Sequence, residues 1–323
     1  MTMNRIACSL IALAAIASPA LADEIRIVGS STVYPFTTAV AENFSKKTGL
    51  PTPIVESTGT GGGIKLFCDS AEPQSPSAVN ASRPIKETEV ESCKKNGVEG
   101  ITELEIGIDA IVLAEAKNGS DFSLTTKQIY QALAKNVIID GKLVPNPYVN
   151  WSDIDASLPS HKIEVLGPPP TSGTRDSFTE LVIEHECKGL IKEFGLTMSP
   201  DEEKSACKSI REDGAYIEAG ENDNLIVQKL VNNPKAIGIF GFSFLDANGS
   251  EIKGVTINGV KPEYDAVAAG EYPISRKLYV YFKDAHLESK ANLAAFLEEY
   301  KSEQAIGEEG YLVEKGLIPL PKE

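Results

Sequence analysis

Short apolar runs alternate along this chain with stretches in which apolar residues recur every three or four positions, the mark of a helix with one buried face. Glu24 to Val28 reads as a strand, followed by Gly29-Ser30-Ser31-Thr32. The spacing of Val33, Phe36, Val40 and Phe44 then predicts a helix, with Pro35 in its first turn and Gly49 placed to stop it. A second helix is expected from Thr60-Gly61-Gly62-Gly63 through Ile64 to Cys68, and residues 106–113 form a strongly apolar strand. Thr125 or Thr126 caps a helix with Ile129 and Leu133 inward. Lys162 to Leu166 predicts a strand, and Thr171-Ser172-Gly173-Thr174 opens a helix with Phe178, Leu181, Val182 and His185 on one face. Ala236 to Phe244 reads as a further strand, as does Lys277 to Phe282 through the alternation of Leu278, Val280 and Phe282. Ser289 to Gln304 is expected to be a helix on the stripe Leu293, Phe296, Leu297 and Tyr300. Strands that hand over repeatedly to helices argue an α/β fold with mainly parallel sheets. A length of 323 residues favours two lobes, because a single core stops growing at about 250–300 residues.

The first 22 residues stand outside this pattern. Arg5, the apolar run Ile6 to Ile16 and Ala20-Leu21-Ala22 have the order of a secretory leader cleaved after Ala22. The run is too short to span a bilayer, which takes about 20 residues, and Cys8 lies too near its start to be a lipid-bearing cysteine. Removing the leader leaves Cys68, Cys93, Cys187 and Cys207. An even number in an exported chain points to disulfides. Three connectivities are open; local pairing, Cys68 with Cys93 and Cys187 with Cys207, is the simplest because each bridge would staple one lobe. The ligand spacing of a zinc site is absent, and His161, His185 and His286 are scattered.

Charge narrows the partners. The formal charge is −15, and −16 once Arg5 leaves with the leader. So acidic a surface excludes non-specific nucleic-acid and anionic-membrane binding. Any bound anion must be held by local donors. Three loops offer them: Gly29-Ser30-Ser31-Thr32, Thr58-Gly59-Thr60-Gly61-Gly62-Gly63, and Thr171-Ser172-Gly173-Thr174. Each places small hydroxyl or glycine residues where a helix is expected to start, and free N–H groups at a helix start attract anions. Arg83, in Asn80-Ala81-Ser82-Arg83-Pro84, and Arg175, directly after Thr174, add guanidinium groups suited to gripping an oxyanion with two parallel hydrogen bonds. Signs of catalysis are weaker. TGTGGGIK lacks the ending of a P-loop, and neither G-x-S-x-G nor HExxH occurs.

Taken together, GSSTVYPFT, STGTGGGIKLFC, NASRPI, GIDAIVLAEAKN, the Ser-Gly-Thr loop and LVEKGLIPL resemble the periplasmic phosphate-binding proteins of phosphate ABC importers. The likeness runs from Ile25 to Leu320 and rests on the order and spacing of the motifs. It implies a type II periplasmic-binding-protein fold, the Venus-flytrap design of two α/β lobes joined by two crossing strands. Residues 106–113 and 277–282 would be the crossings, with residues 23–109 plus 278–323 as one lobe and 110–277 as the other. It implies a non-enzymatic protein without cofactor or metal, which captures inorganic phosphate in the interlobe cleft and delivers it to membrane permease subunits. Sulfate or another tetrahedral oxyanion is the alternative ligand, and an exported phosphatase the alternative class.

Carried over residue by residue, Ser31, Thr32 and Val33 match the first phosphate loop. Thr60 and Gly61 match the second, where many members have serine at the position of Gly61. Ser172, Gly173 and Thr174 match the third. Many members carry aspartate where Ser82-Arg83 stands, and an arginine before Ser-Gly-Thr where this chain has Pro168–Pro170 and then Arg175. A two-arginine site is therefore expected, with Asp109 or Asp223 as the acceptor that replaces the missing aspartate.

Overall fold

The computed structural model describes residues 24–220 and 223–321, so the expected leader with Cys8 lies outside the described residues. The strands are β1 (Arg26–Gly29), β2 (Ile54–Ser57), β3 (Ala78–Ala81), β4 (Ile101–Ala116), β5 (Ser123–Leu124), β6 (Asn136–Ile139), β7 (Lys142–Pro145), β8 (Val165–Gly167), β9 (Tyr216–Glu218), β10 (Ile237–Gly241), β11 (Ile252–Gly254), β12 (Thr256–Ile257) and β13 (Ser275–Lys283). The main path runs β2-β1-β3-β13-β4-β10-β8-β9, with β11 also on β4. Its two flanks, β2-β1-β3 and β10-β8-β9, are parallel. The central strands β13 and β4 run antiparallel to their neighbours, so the expected parallel order holds only on the flanks.

β4 is the backbone of both lobes. Its first part pairs with β13 and its last part with β10 and β11. β13 lies wholly beside β3 and β4, and just before it Ile111 donates its N–H to the Ile274 carbonyl at 2.9 Å. The C-terminal segment joins the same place, since Ile108 and Ile318 exchange backbone hydrogen bonds of 2.7 and 3.0 Å. Gly107 permits this approach: its φ is +151°, and a Cβ there would lie 2.7 Å from the Ile318 carbonyl oxygen.

Cores lie on both sides of the crossing. One gathers β4 from Ile108 onward, Trp151, Phe178, Ile239 and Phe240. The other lobe has two, one on each face of its sheet. Ile27, Leu278, Val280 and Phe282 fill one face; Val28, Tyr279 and Tyr281 fill the other. The alternation read in β13 is thus half of its packing, because the intervening tyrosines are buried too.

Helix Tyr34–Thr48 buries Phe36, Val40 and Phe44 and ends at Gly49, left-handed at φ 72°. Thr125 caps helix Thr126–Leu133 and accepts from the Gln128 N–H. Three expectations need correction. The helical run from Gly173 to Glu193 contains a π-helical stretch, Thr179–Glu184. Its wider turn shifts the buried stripe to Phe178, Val182, Ile183, Cys187 and Leu190, leaving His185 exposed. The apolar run Ala236–Phe244 is not one strand, for β10 stops at Gly241 and Phe242–Ala247 is helical. The tail helix likewise ends at Tyr300, and Ser302 caps a separate turn, Glu303–Ile306. Both disulfides are local, Cys68–Cys93 and Cys187–Cys207. Each closes a loop that the chain-entropy model values at about 3 kcal/mol. Among the described residues, no helix is long and apolar enough to cross a membrane.

Candidate functional site

Backbone packing brings the three small-residue loops together. Gly29, at the end of β1, has φ +132°, and a Cβ there would collide with the Asn80 carbonyl at 2.2 Å. A Cβ on Gly63 would stand 2.4 Å from the Gly29 Cα. Only two glycines let helix Thr60–Phe67 lie this close to β1, which sets its start beside the first loop. Gly61 and Gly62 are exposed, and among the described residues no side chain caps this helix. From the other lobe, Gly173 faces the first loop: its Cβ would be 3.8 Å from the Ser31 carbonyl and 3.9 Å from the Thr32 Cα. Loops of the two lobes therefore touch at Ser31-Thr32 and Gly173.

Two cavities flank this contact. The larger, about 600 Å³, is lined by Ser31, Thr60, Gly61, Ser82, Arg83 and Arg175 among others. Lys135 and Lys208 add cations, but Asp176, Glu180, Glu184 and Glu212 line it too, so its walls are close to neutral. The smaller, about 150 Å³, is lined by Thr32, Asp109, Gly173, Thr174, Ser177 and Asp223. The expected site residues are thus divided between two sides of one cleft; Val33 and Ser172 belong to the loops that separate them. A third cavity, about 660 Å³, lies in the second lobe around Lys117, Lys253 and Lys261 and shares no residue with these loops.

Most of the expected donors already have protein partners. Thr60 Oγ1 lies 2.9 Å from Ser82 Oγ and accepts from the Ser82 N–H at 3.1 Å. The Val33 N–H donates to Ser30 Oγ at 3.4 Å. Arg83 forms a two-pronged ion pair with Glu89 at 2.9 and 2.8 Å and donates to the Pro84 carbonyl. That pair raises the guanidinium's affinity for its proton and holds Glu89 below the usual carboxylate range. Arg175 donates to the Pro168 carbonyl at 3.1 Å and stacks 4.2 Å over the Tyr216 ring. Burial pushes the Tyr216 hydroxyl up to about 12, and the same residue donates to the Pro168 carbonyl at 2.7 Å.

The polar centre between the lobes joins the expected Thr32 and Asp109 to two residues the sequence reading missed, Arg276 and Ser177. Arg276 of β13 sits opposite Asp109 of β4 and is buried to nine-tenths. Its Nη2 donates to Thr32 Oγ1 at 3.0 Å and Ser177 Oγ at 3.1 Å, while Nη1 donates to Glu180 at 2.7 Å. Nε has no hydrogen-bond partner and lies 3.7 Å from Asp109 Oδ2. Ser177 donates to that same oxygen at 2.8 Å. Burial raises the Asp109 carboxyl, opposed by Arg276 and Ser177. Asp223 lines the small cavity beside this cluster, and burial alone pushes its carboxyl up to about 6. Arg276 escaped the sequence reading because it precedes the alternating run of β13. Ser177 escaped because it stands one helical turn beyond the Ser-Gly-Thr loop.

Two α/β lobes on a shared central strand, meeting through small-residue loops, define the type II periplasmic-binding-protein fold. The comparisons agree. Residues 14–304 match the family model described as PBP superfamily domain, and the chain belongs to that family. It is 33% identical over 300 residues to Protein SphX of Synechococcus elongatus, covering 91% of this chain and 76% of that protein. It is 28% identical over 308 residues to the phosphate-binding protein PstS of Staphylococcus saprophyticus, covering 93% and 81%. A crystal structure of a possible phosphate binding protein from Planctomyces limnophilus superposes with a TM-score of 0.74 at 29% identity, covering 94% of each chain.

Proposed function

We propose that this protein is an extracytoplasmic solute-binding protein that captures inorganic phosphate between its lobes and delivers it to the permease subunits of an ABC importer. The observation that carries this reading is the meeting of three hydroxyl- and glycine-bearing loops from both lobes at one cleft, with the start of helix Thr60–Phe67 left uncapped. Such a helix start supplies N–H donors and a favourable field to an anion without net positive charge around it. The names of the Staphylococcus and Planctomyces relatives support phosphate as the ligand.

In this reading Ser31, Thr32, Val33, Thr60, Gly61, Ser172, Gly173 and Thr174 surround the anion, with Arg83 and Arg175 on the cleft wall. Binding is non-covalent and the protein has no catalytic task. The lobes are residues 23–109 plus 278–323 and 110–277, although Tyr272 and Ile274 pack in the second core and Leu278 in the first, which supports a boundary a few residues earlier on the return. Residues 1–22 are the export signal, and the mature chain works in the periplasm.

Calorimetric titration of the mature protein with phosphate, sulfate and arsenate tests the reading. Saturable phosphate binding with sulfate at least about a hundredfold weaker, a difference of about 2.7 kcal/mol, is the expected result. Tight sulfate binding without phosphate binding would replace the ligand, and hydrolysis of a phosphomonoester would replace the class.

A further inference from the structure

We propose that Arg276 is a positioning residue that fixes the direction of the Thr32 hydroxyl proton, so that Thr32 meets the anion as a donor. The inference deepens the phosphate reading and rests on it. A guanidinium can only donate. Because Nη2 donates to both Thr32 Oγ1 and Ser177 Oγ, each hydroxyl oxygen accepts from Arg276 and keeps its proton for another partner. Ser177 gives its proton to Asp109 at 2.8 Å. Across the 3.1 Å contact between the hydroxyls, Ser177 therefore has nothing left to donate. The proton of Thr32 has two destinations: Ser177, or an anion in the cleft.

This makes the exchange cheap. When Thr32 turns its proton to an anion, Ser177 Oγ still accepts from Arg276 and no buried polar atom is stranded. In the alternative orientation Thr32 gives its proton to Ser177 and still accepts from Arg276, but its remaining lone pair would face the anion with no proton between them. The arrangement also crosses the molecule: Thr32 comes from one lobe, Ser177 and Glu180 from the other, and Arg276 from the strand at their junction.

A double-mutant cycle tests this, with phosphate affinity read by calorimetry and folding checked by the unfolding midpoint. Arg276→Lys alone should weaken phosphate binding about tenfold or more, as expected for a lost charge-assisted contact. In a Thr32→Val background the same substitution should have less than about a twofold further effect. In a Thr60→Val background its loss should persist in full, because Thr60 bonds Ser82 rather than Arg276. Arg276→Gln, which keeps an amide donor without charge, replaces the lysine variant if that one does not fold. Losses that multiply with Thr32→Val, or an unchanged affinity in Thr32→Val alone, would overturn the role given to Arg276 while phosphate binding by the wild-type protein stands. Failure of the wild-type protein to bind phosphate would instead remove the underlying reading, and this role with it.

Discussion

Arg83 and Arg276 both reach the cleft between the lobes, yet their surroundings differ. Arg83 stands in a loop motif and is held by Glu89, six residues along the same lobe, with about a quarter of each side chain exposed. Arg276 stands on a strand and is held by Thr32, Ser177 and Glu180, which the chain brings in from 244, 99 and 96 residues away. A local pair stiffens one loop. A non-local one makes the two lobes depend on each other. Arginine beside a glycine-rich motif was thus a good pointer to the cleft and a poor pointer to the charge at its centre.

The largest difference should appear in stability. Arg276→Met leaves the Asp109 carboxyl without its nearby counter-charge and two buried hydroxyls without a donor, and should cost about 3–5 kcal/mol in urea unfolding. Arg83→Met breaks a partly exposed pair and should cost no more than about 1 kcal/mol. Equal losses would erase the distinction between the two arginines.

Phosphate affinity sharpens the comparison on the cleft wall. Arg175→Ala should weaken binding about thirtyfold or more, whereas Arg83→Ala should cost about tenfold or less because Glu89 already holds that guanidinium. Glu89→Gln frees Arg83 toward the cleft and should tighten binding a few-fold, about twofold to fivefold. A weaker Glu89→Gln variant would mean that the pair serves to aim Arg83 instead.

The smallest effect is in pH dependence, where two acids should move oppositely. Glu89 has its pKa lowered by Arg83, so its contribution is present above its ordinary pKa of 4.5 and lost as pH falls below it. Asp223 has its pKa raised by burial to about 6, so the fold favours its protonated form; its contribution is fullest near pH 4 and is lost as pH rises through 6. Unfolding midpoints should show Asp223→Asn gaining on the wild-type protein between pH 4 and 7. Glu89→Gln should lose ground on the wild-type protein as pH rises toward 4.5 and keep a constant deficit above it. Parallel pH curves for Asp223→Asn and wild type would place Asp223 in solvent.

Local patterns carried the fold well. The stripe Phe36, Val40 and Phe44 and the stop at Gly49 follow from spacing, and the strand through residues 106–113 from its apolar run, whereas its role as a crossing rests on the family resemblance. What failed was local pattern overridden by geometry. A π turn rotated His185 outward, and a helix began inside an apolar run at Phe242. The loops of the site were legible because glycine and hydroxyl residues cluster in sequence. The centre was not, since Thr32 and Ser177 lie 145 residues apart and only the fold joins them.

The central claim is that phosphate sits at the open start of helix Thr60–Phe67, and a carboxylate placed there tests it most directly. Gly61 has no positive φ, and a Cβ added to it meets nothing within 4 Å. Gly61→Asp should therefore fold normally, with its unfolding midpoint unchanged or raised, because an acid in the first helical turn is favourable. The new carboxylate would occupy the anion's place and repel it, so calorimetry should show phosphate affinity reduced at least about a hundredfold. A folded Gly61→Asp protein that binds phosphate within about twofold of wild type would place the anion elsewhere.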